Sequence, residues 1–254
     1  LLSSDEAVLE GVGFRFMRGQ AHASGRVIVR EGRVELALDG DVSGLEFPLF
    51  EGFVPRLAGG WRLTGPVDDL LVSGDLRVLR ATLRRKDDLA AILFEWLLAE
   101  SAPPAGEGVR VDVTVEADRT LEAANAFLNL EGSASLRVGG SSARPGVLGT
   151  VSFEEGGEVT LQGVRYELDR ANLTFTDPKG IEALVDVQVR TWVQSHQITV
   201  NLTGTPSRLV PTVSSDPPLP QDDIYAMLAV GRRGEAAGGG LMGVGLASSL
   251  LTRE

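Results

Sequence analysis

From residue 158 to residue 203, apolar side chains recur at every second position. The runs are Glu158-Val-Thr-Leu-Gln162, Tyr166-Glu-Leu168, Ala171-Asn-Leu-Thr-Phe-Thr176, Ala183-Leu-Val-Asp-Val-Gln-Val-Arg190 and Gln197-Ile-Thr-Val-Asn-Leu-Thr203. A period of two sends neighbouring side chains to opposite faces of a strand, so each run predicts a strand with one apolar and one wet face. The same alternation is present earlier, at Arg33 to Asp39, Asp75 to Val78, Val109 to Val115 and Ser135 to Val138. Between the runs lie Glu31-Gly32, Asp39-Gly40, Glu155-Gly156-Gly157, Asp169-Arg170 and Asp177-Pro-Lys-Gly180, all with turn chemistry. Strands joined in this way predict consecutive antiparallel hairpins, a long meander with no helix-length crossover between successive strands.

A single sheet with one continuous apolar face cannot leave that face in water. Runs of roughly 6 to 8 residues at ~3.3 Å each make strands roughly 20 to 27 Å long, and about a dozen strands spaced ~4.8 Å apart make a sheet roughly 55 Å across. Such a sheet must close into a barrel, pack on a second layer or fold across itself; curled lengthwise, it encloses a groove with an apolar interior. The side chains expected to line it are Leu136, Val138, Val151, Phe153, Val159, Leu161, Tyr166, Leu168, Leu173, Phe175, Val185, Val187, Val189, Ile198, Val200 and Leu202.

Three places break the alternation, so two or three short helices are expected beside the sheet. Asp87 to Glu100 opens with acids suited to a helix start, is apolar nearly all round, and predicts a buried helix. Ser101 to Gly108 (SAPPAGEG) marks a boundary or long loop. In Ser214 to Arg233, Pro217, Pro218 and Pro220 cannot donate ladder hydrogen bonds and so end the sheet. A short helix follows, with Asp222 and Asp223 in its first turn and Ile224, Met227 and Leu228 on one face. The expected division is 1–105, an N-terminal β segment with the helix near 87–100; 106–213, the β-sheet groove; and 214–254, the terminator, short helix and Gly-rich tail.

Composition narrows the function. With 43% apolar and 23% charged residues the 254-residue chain can bury a core, and 31 glycines with 6% aromatics suit many strands and tight turns. A net charge of -11 argues against a nucleic-acid partner, and Arg84-Arg85-Lys86 and Arg232-Arg233 read as solvated turns. There are no cysteines, which excludes disulfides and thiol chemistry. No apolar run reaches the ~18 to 20 residues of a membrane helix. Leu1 onward does not read as a signal peptide, and a chain starting without methionine is expected to be a piece of a longer protein.

Catalytic constellations do not emerge. The histidines, His22 and His196, stand apart, and neither HExxH nor GxSxG occurs. Gly238 to Gly243 spells GxGxxG, but it follows a helix and loop rather than joining a strand to a helix, so it predicts a linker and no cofactor. Asn172-Leu-Thr174 and Asn201-Leu-Thr203 match a glycosylation pattern inside predicted strands. The acid pairs Asp68-Asp69, Asp87-Asp88 and Asp222-Asp223 read as caps rather than metal ligands. No metal, cofactor or enzymatic activity is expected.

The order of features from Gly157 to Arg232 is more specific than any of these. It runs Gly157-Glu-Val-Thr-Leu161, Tyr166-Glu-Leu-Asp-Arg-Ala-Asn-Leu-Thr-Phe-Thr-Asp-Pro178, Val185-Asp-Val-Gln-Val189, Ile198-Thr-Val-Asn-Leu-Thr-Gly204 with Pro206, and Val213-Ser-Ser-Asp-Pro-Pro-Leu-Pro-Gln-Asp-Asp-Ile224 through Leu228 to Gly231. This resembles the C-terminal domain of the TamB family, the translocation and assembly module subunit, related to AsmA-like bridge proteins of Gram-negative bacteria. The resemblance implies a periplasmic part of an inner-membrane-anchored protein that spans towards the outer membrane, with its anchor outside this chain and a TamA-like outer-membrane barrel protein as partner. It also implies a tapered sheet folded along its length, a β-taco with an apolar interior, and phospholipid transport between membranes, the groove holding acyl chains. Two other readings stand beside it: a scaffold or chaperone for outer-membrane β-barrel assembly and secretion, and a purely structural β domain.

Overall fold

The computed structural model describes residues 4–16, 18–30, 32–46, 53–83, 109–125, 127–161 and 163–235. They form β1 (Ser4–Phe16), β2 (Gly19–Arg30), β3 (Arg33–Glu46), β4 (Phe53–Pro66), β5 (Leu70–Leu83), β6 (Val109–Ala124), β7 (Leu128–Ser141), β8 (Arg144–Phe153), β9 (Glu158–Leu161), β10 (Val164–Phe175), β11 (Ala183–Val193), β12 (His196–Thr205), β13 (Arg208–Asp216) and one helix, α1 (Gln221–Glu235). All thirteen strands join one sheet in chain order, with only β9 off the path, pairing β10 and β7. The fold is the expected mainly-β meander. The helix expected over 87–100, the loop 101–108 and the Gly-rich tail lie outside the described residues.

The strands are longer than the alternating runs that announce them. β3 and β4 have 14 residues each and β6 has 16, so most strands extend well beyond the expected length. The reason is that small residues interrupt the apolar rhythm without ending the ladder. Asp39-Gly40, expected as a turn, is the middle of β3, where Gly40 faces Trp61 across the β3/β4 ladder. A Cβ on Gly40 would collide with the His22 carbonyl oxygen of β2 and stand 2.8 Å from the Trp61 indole, so glycine there admits both the neighbouring backbone and the ring. Asp169-Arg170, also expected as a turn, is a bulge inside β10, where the register against β11 shifts between Leu168 and Arg170.

One pair departs from the antiparallel rule. β5 and β6 run parallel, from Leu70↔Val109 to Leu83↔Ala123. Parallel neighbours need a connection that returns along the strand, and residues 84–108 are long enough to make it. An irregularity between Arg77 and Ala81 is stitched by the Thr120 hydroxyl, which donates to the Val78 carbonyl at 2.8 Å, and by Arg80, whose guanidinium reaches Glu122 at 2.7 Å.

Candidate functional site

Residues paired across a ladder share a face, so the register decides how far the apolar face reaches. One line of partners runs Val12, Ala23, Gly40, Trp61, Gly74, Val113, Val138, Val147 across β1 to β8. Another runs Pro55, Ala81, Leu121, Gly132, Phe153, Ala171, Val187, Leu202, Pro211 from β4 to β13. No charged side chain interrupts either line. The parallel β5/β6 pair keeps the faces aligned because Val72, Gly74 and Leu76 meet Val111, Val113 and Val115.

The ladder register assigns the residues expected to line the groove to this same face. Leu136 and Val138 meet Gly149 and Val147, while Val151 and Phe153 meet Leu173 and Ala171. Val159 and Leu161 pair with Tyr166 and Val164, and Leu168 with Val189. Leu173 and Phe175 face Val185 and Ala183; Val187 and Val189 face Leu202 and Val200; Ile198 faces Thr191. Val159, Tyr166, Leu168, Phe175, Val189 and Ile198 are buried. Leu136, Val138, Val151, Phe153, Leu173, Val185, Val187, Val200 and Leu202 are half-buried.

The burial is uneven along the sheet. At the β10 to β13 end, Val164, Tyr166, Leu168, Ala171, Val189, Ile198 and Val213 share a cluster with Ile224 and Leu228 of α1. Two features build that contact. Asp222 and Asp223 favour the helix start, where the Asp223 and Ile224 N–H groups donate to the Pro220 carbonyl, and Ile224 and Leu228 fall one turn apart on one face. At the opposite edge Val12 and Phe14 of β1 lie on the apolar face with 44% and 45% of their surface exposed.

The other face is charged and laced across strands. Arg137 clasps Asp112 through two N–H donors at 2.8 and 2.9 Å, and Arg170 clasps Asp186 at 3.0 and 3.2 Å. Arg190 reaches both Glu167 at 2.7 Å and Asp169 at 2.9 Å. The hydrogen bonds from Arg137 and Arg190 hold the Asp112 and Glu167 carboxyls below the usual carboxylate range. A shallow cleft of about 630 Å³ opens on this face over Gly60, between Asp39, Arg62, Ser73, Asp75, Asp112 and Arg137. Among the described residues no three His, Cys, Asp or Glu side chains converge as a metal site requires, and no helix is long and apolar enough to cross a membrane.

Sequence reasoning left out the β1 to β6 part of the apolar face, including Trp61, Leu76, Val78, Ala81, Val113 and Val115. Alternation at Asp75 to Val78 and Val109 to Val115 is the signal that finds it; only the register joins it to the rest. No curated protein matches the chain. The TamB C-terminal domain matches residues 13–254, far beyond the Gly157 to Arg232 order that resembles it by eye, and the chain belongs to the TamB family.

Proposed function

We propose that the apolar face holds lipid acyl chains, making the chain a non-enzymatic periplasmic conduit that carries phospholipid between membranes towards the outer membrane. The TamB family is a transport and assembly module of the envelope, and its C-terminal domain is a periplasmic one. The observation that carries the finer reading is the uncharged line of side chains from Pro55 to Pro211. Hydrocarbon needs continuity of apolar surface rather than any special residue, and side-by-side strands of matched parity supply it. On this reading the sheet curls lengthwise and that surface becomes a groove, and contact spread over many Val and Leu side chains gives weak, sliding attachment.

The test places a carboxylate in the face, Val187→Asp or Val200→Asp, in the full-length protein in cells. Phospholipid transport is expected to fall while the protein stays folded and abundant; unchanged transport with intact folding overturns the reading. A photoreactive residue at Val187 is expected to capture phospholipid, and one at Gln188, on the charged face, is not.

One observation favours an assembly role beside it. Among the described residues β1 pairs only with β2, leaving its outer backbone groups able to accept a strand. On this reading the edge adds strands of unfolded outer-membrane β proteins, working with a TamA-like barrel partner. Crosslinks from Val8 to barrel substrates, with none from Val187 to lipid, would decide for it.

A further inference from the structure

We infer that α1 is a removable occupant of the apolar face, keeping its β10 to β13 end filled until an acyl chain takes the same place. This rests on the acyl-chain reading above and adds its regulation. Ile224, 1% exposed, and Leu228, 8% exposed, belong to one buried cluster with Leu168, Val189, Ile198 and Val213, while Met227 and Leu219 pack against that cluster. Leu168, Val189 and Ile198 belong to the surface assigned to hydrocarbon cargo. There the chain supplies hydrocarbon of its own. Ile224, Met227 and Leu228 offer methyl and methylene surface of the same kind as a stretch of one acyl chain, so exchange trades one apolar contact for a similar one.

The attachment suits a part that leaves. The strand ladder ends at Asp216, so α1 is held to β10, β11 and β13 by side-chain packing rather than by membership of the sheet. Its departure removes no strand. Ser215 anchors the connector independently, its hydroxyl donating to the Pro217 carbonyl and accepting from the Leu219 N–H, both at 2.9 Å, which keeps the helix tethered beside its seat. The face is thereby closed at one end and open at the other, where Val12 and Phe14 stand exposed. Cargo filling the face from the β1 side meets α1 last.

The experiment uses the whole 254-residue chain with cis-parinaric acid, a fluorescent fatty acid, as probe. Hydrogen exchange of the Gln221–Glu235 amides is expected to speed up at least tenfold on probe binding, while β11 and β12 stay protected. Ile224→Ser/Leu228→Ser is expected to bind probe at least threefold more tightly. Probe bound with α1 exchange and the double variant's affinity both unchanged overturns the inference but leaves the acyl-chain reading standing. No binding by either protein overturns both. Should the double variant lose its β-sheet circular dichroism, the wild-type exchange comparison decides alone.

Discussion

Gly149 and Gly156 both take positive φ, at 121° and 86°, yet a methyl group would meet different surroundings at each. At Gly149, inside β8, a Cβ would collide with the Ser135 carbonyl oxygen and stand 3.0 Å from the Leu136 Cα; at Gly156, in the turn before β9, nothing lies within 4 Å. The first glycine lets the β7 backbone approach β8 closely, and the second only serves a turn. Gly149→Ala is therefore expected to cost about 2 to 3 kcal/mol, because strain in φ and backbone displacement add. Gly156→Ala is expected to cost about 1 kcal/mol, since only the conformational preference opposes it. Urea unfolding midpoints of the two variants check the difference, and equal shifts would show that the β8 backbone yields freely. Gly40 combines both demands, since a Cβ there would collide with the His22 carbonyl oxygen and crowd the Trp61 indole.

At the scale of elements, bulges and charge laces keep β10 and β11 in step. The bulge at Leu168/Arg170 brings Glu167 and Asp169 within reach of one guanidinium, and the Gln188 amide donates to Asp169 at 3.2 Å from the neighbouring strand. Glu167 titrates below its usual range because Arg190 donates to the charged form. The sign follows from linkage: the folded chain holds this proton less tightly than the unfolded one, so the pair stabilises above the unfolded carboxyl pKa. That contribution disappears as pH falls through the lower folded value. Glu167→Gln, which removes the titrating carboxyl and leaves Arg190 its contact with Asp169, is expected to lower the melting temperature slightly near pH 7 and to flatten its decline below about pH 5, where the unfolded carboxyl begins to protonate. High salt should shrink the difference because the pair is solvent-exposed. Melting curves across pH, at two salt concentrations, provide the check.

Over the whole molecule, each strand packs chiefly on its sheet neighbours, and α1 is seated at one end. Such a quasi-one-dimensional array opens from where its contacts are fewest. β1 has one partner strand and mostly exposed side chains, whereas β11 lies between β10 and β12 and carries Val189 in the cluster under α1. Hydrogen exchange is expected to be fastest in β1 and to slow towards β10 to β12, with amides of β11 exchanging at least a hundredfold more slowly than those of β1. Uniform protection across the sheet would mean that it opens as one unit. The same gradient bears on function, since the exposed edge is where cargo or an added strand would first make contact.

Which side chains share a face was legible along the chain, because a period of two is local and survives without knowledge of any partner. The meander, the proline stop after Asp216 and the short helix were legible for the same reason. Asp39-Gly40 and Asp169-Arg170 were not, because the residues that suit a turn also suit a strand kink or a bulge, and the neighbouring strand decides which is formed. The parallel β5/β6 pair, the joining of Val12 to Val147 in one line and the gathering of Ile224 with Leu168 and Ile198 in one cluster also came from the tertiary structure alone. Parity is unchanged by a two-residue slip or by reversing a strand. Alternation therefore states which face a side chain takes and is silent about whom it meets.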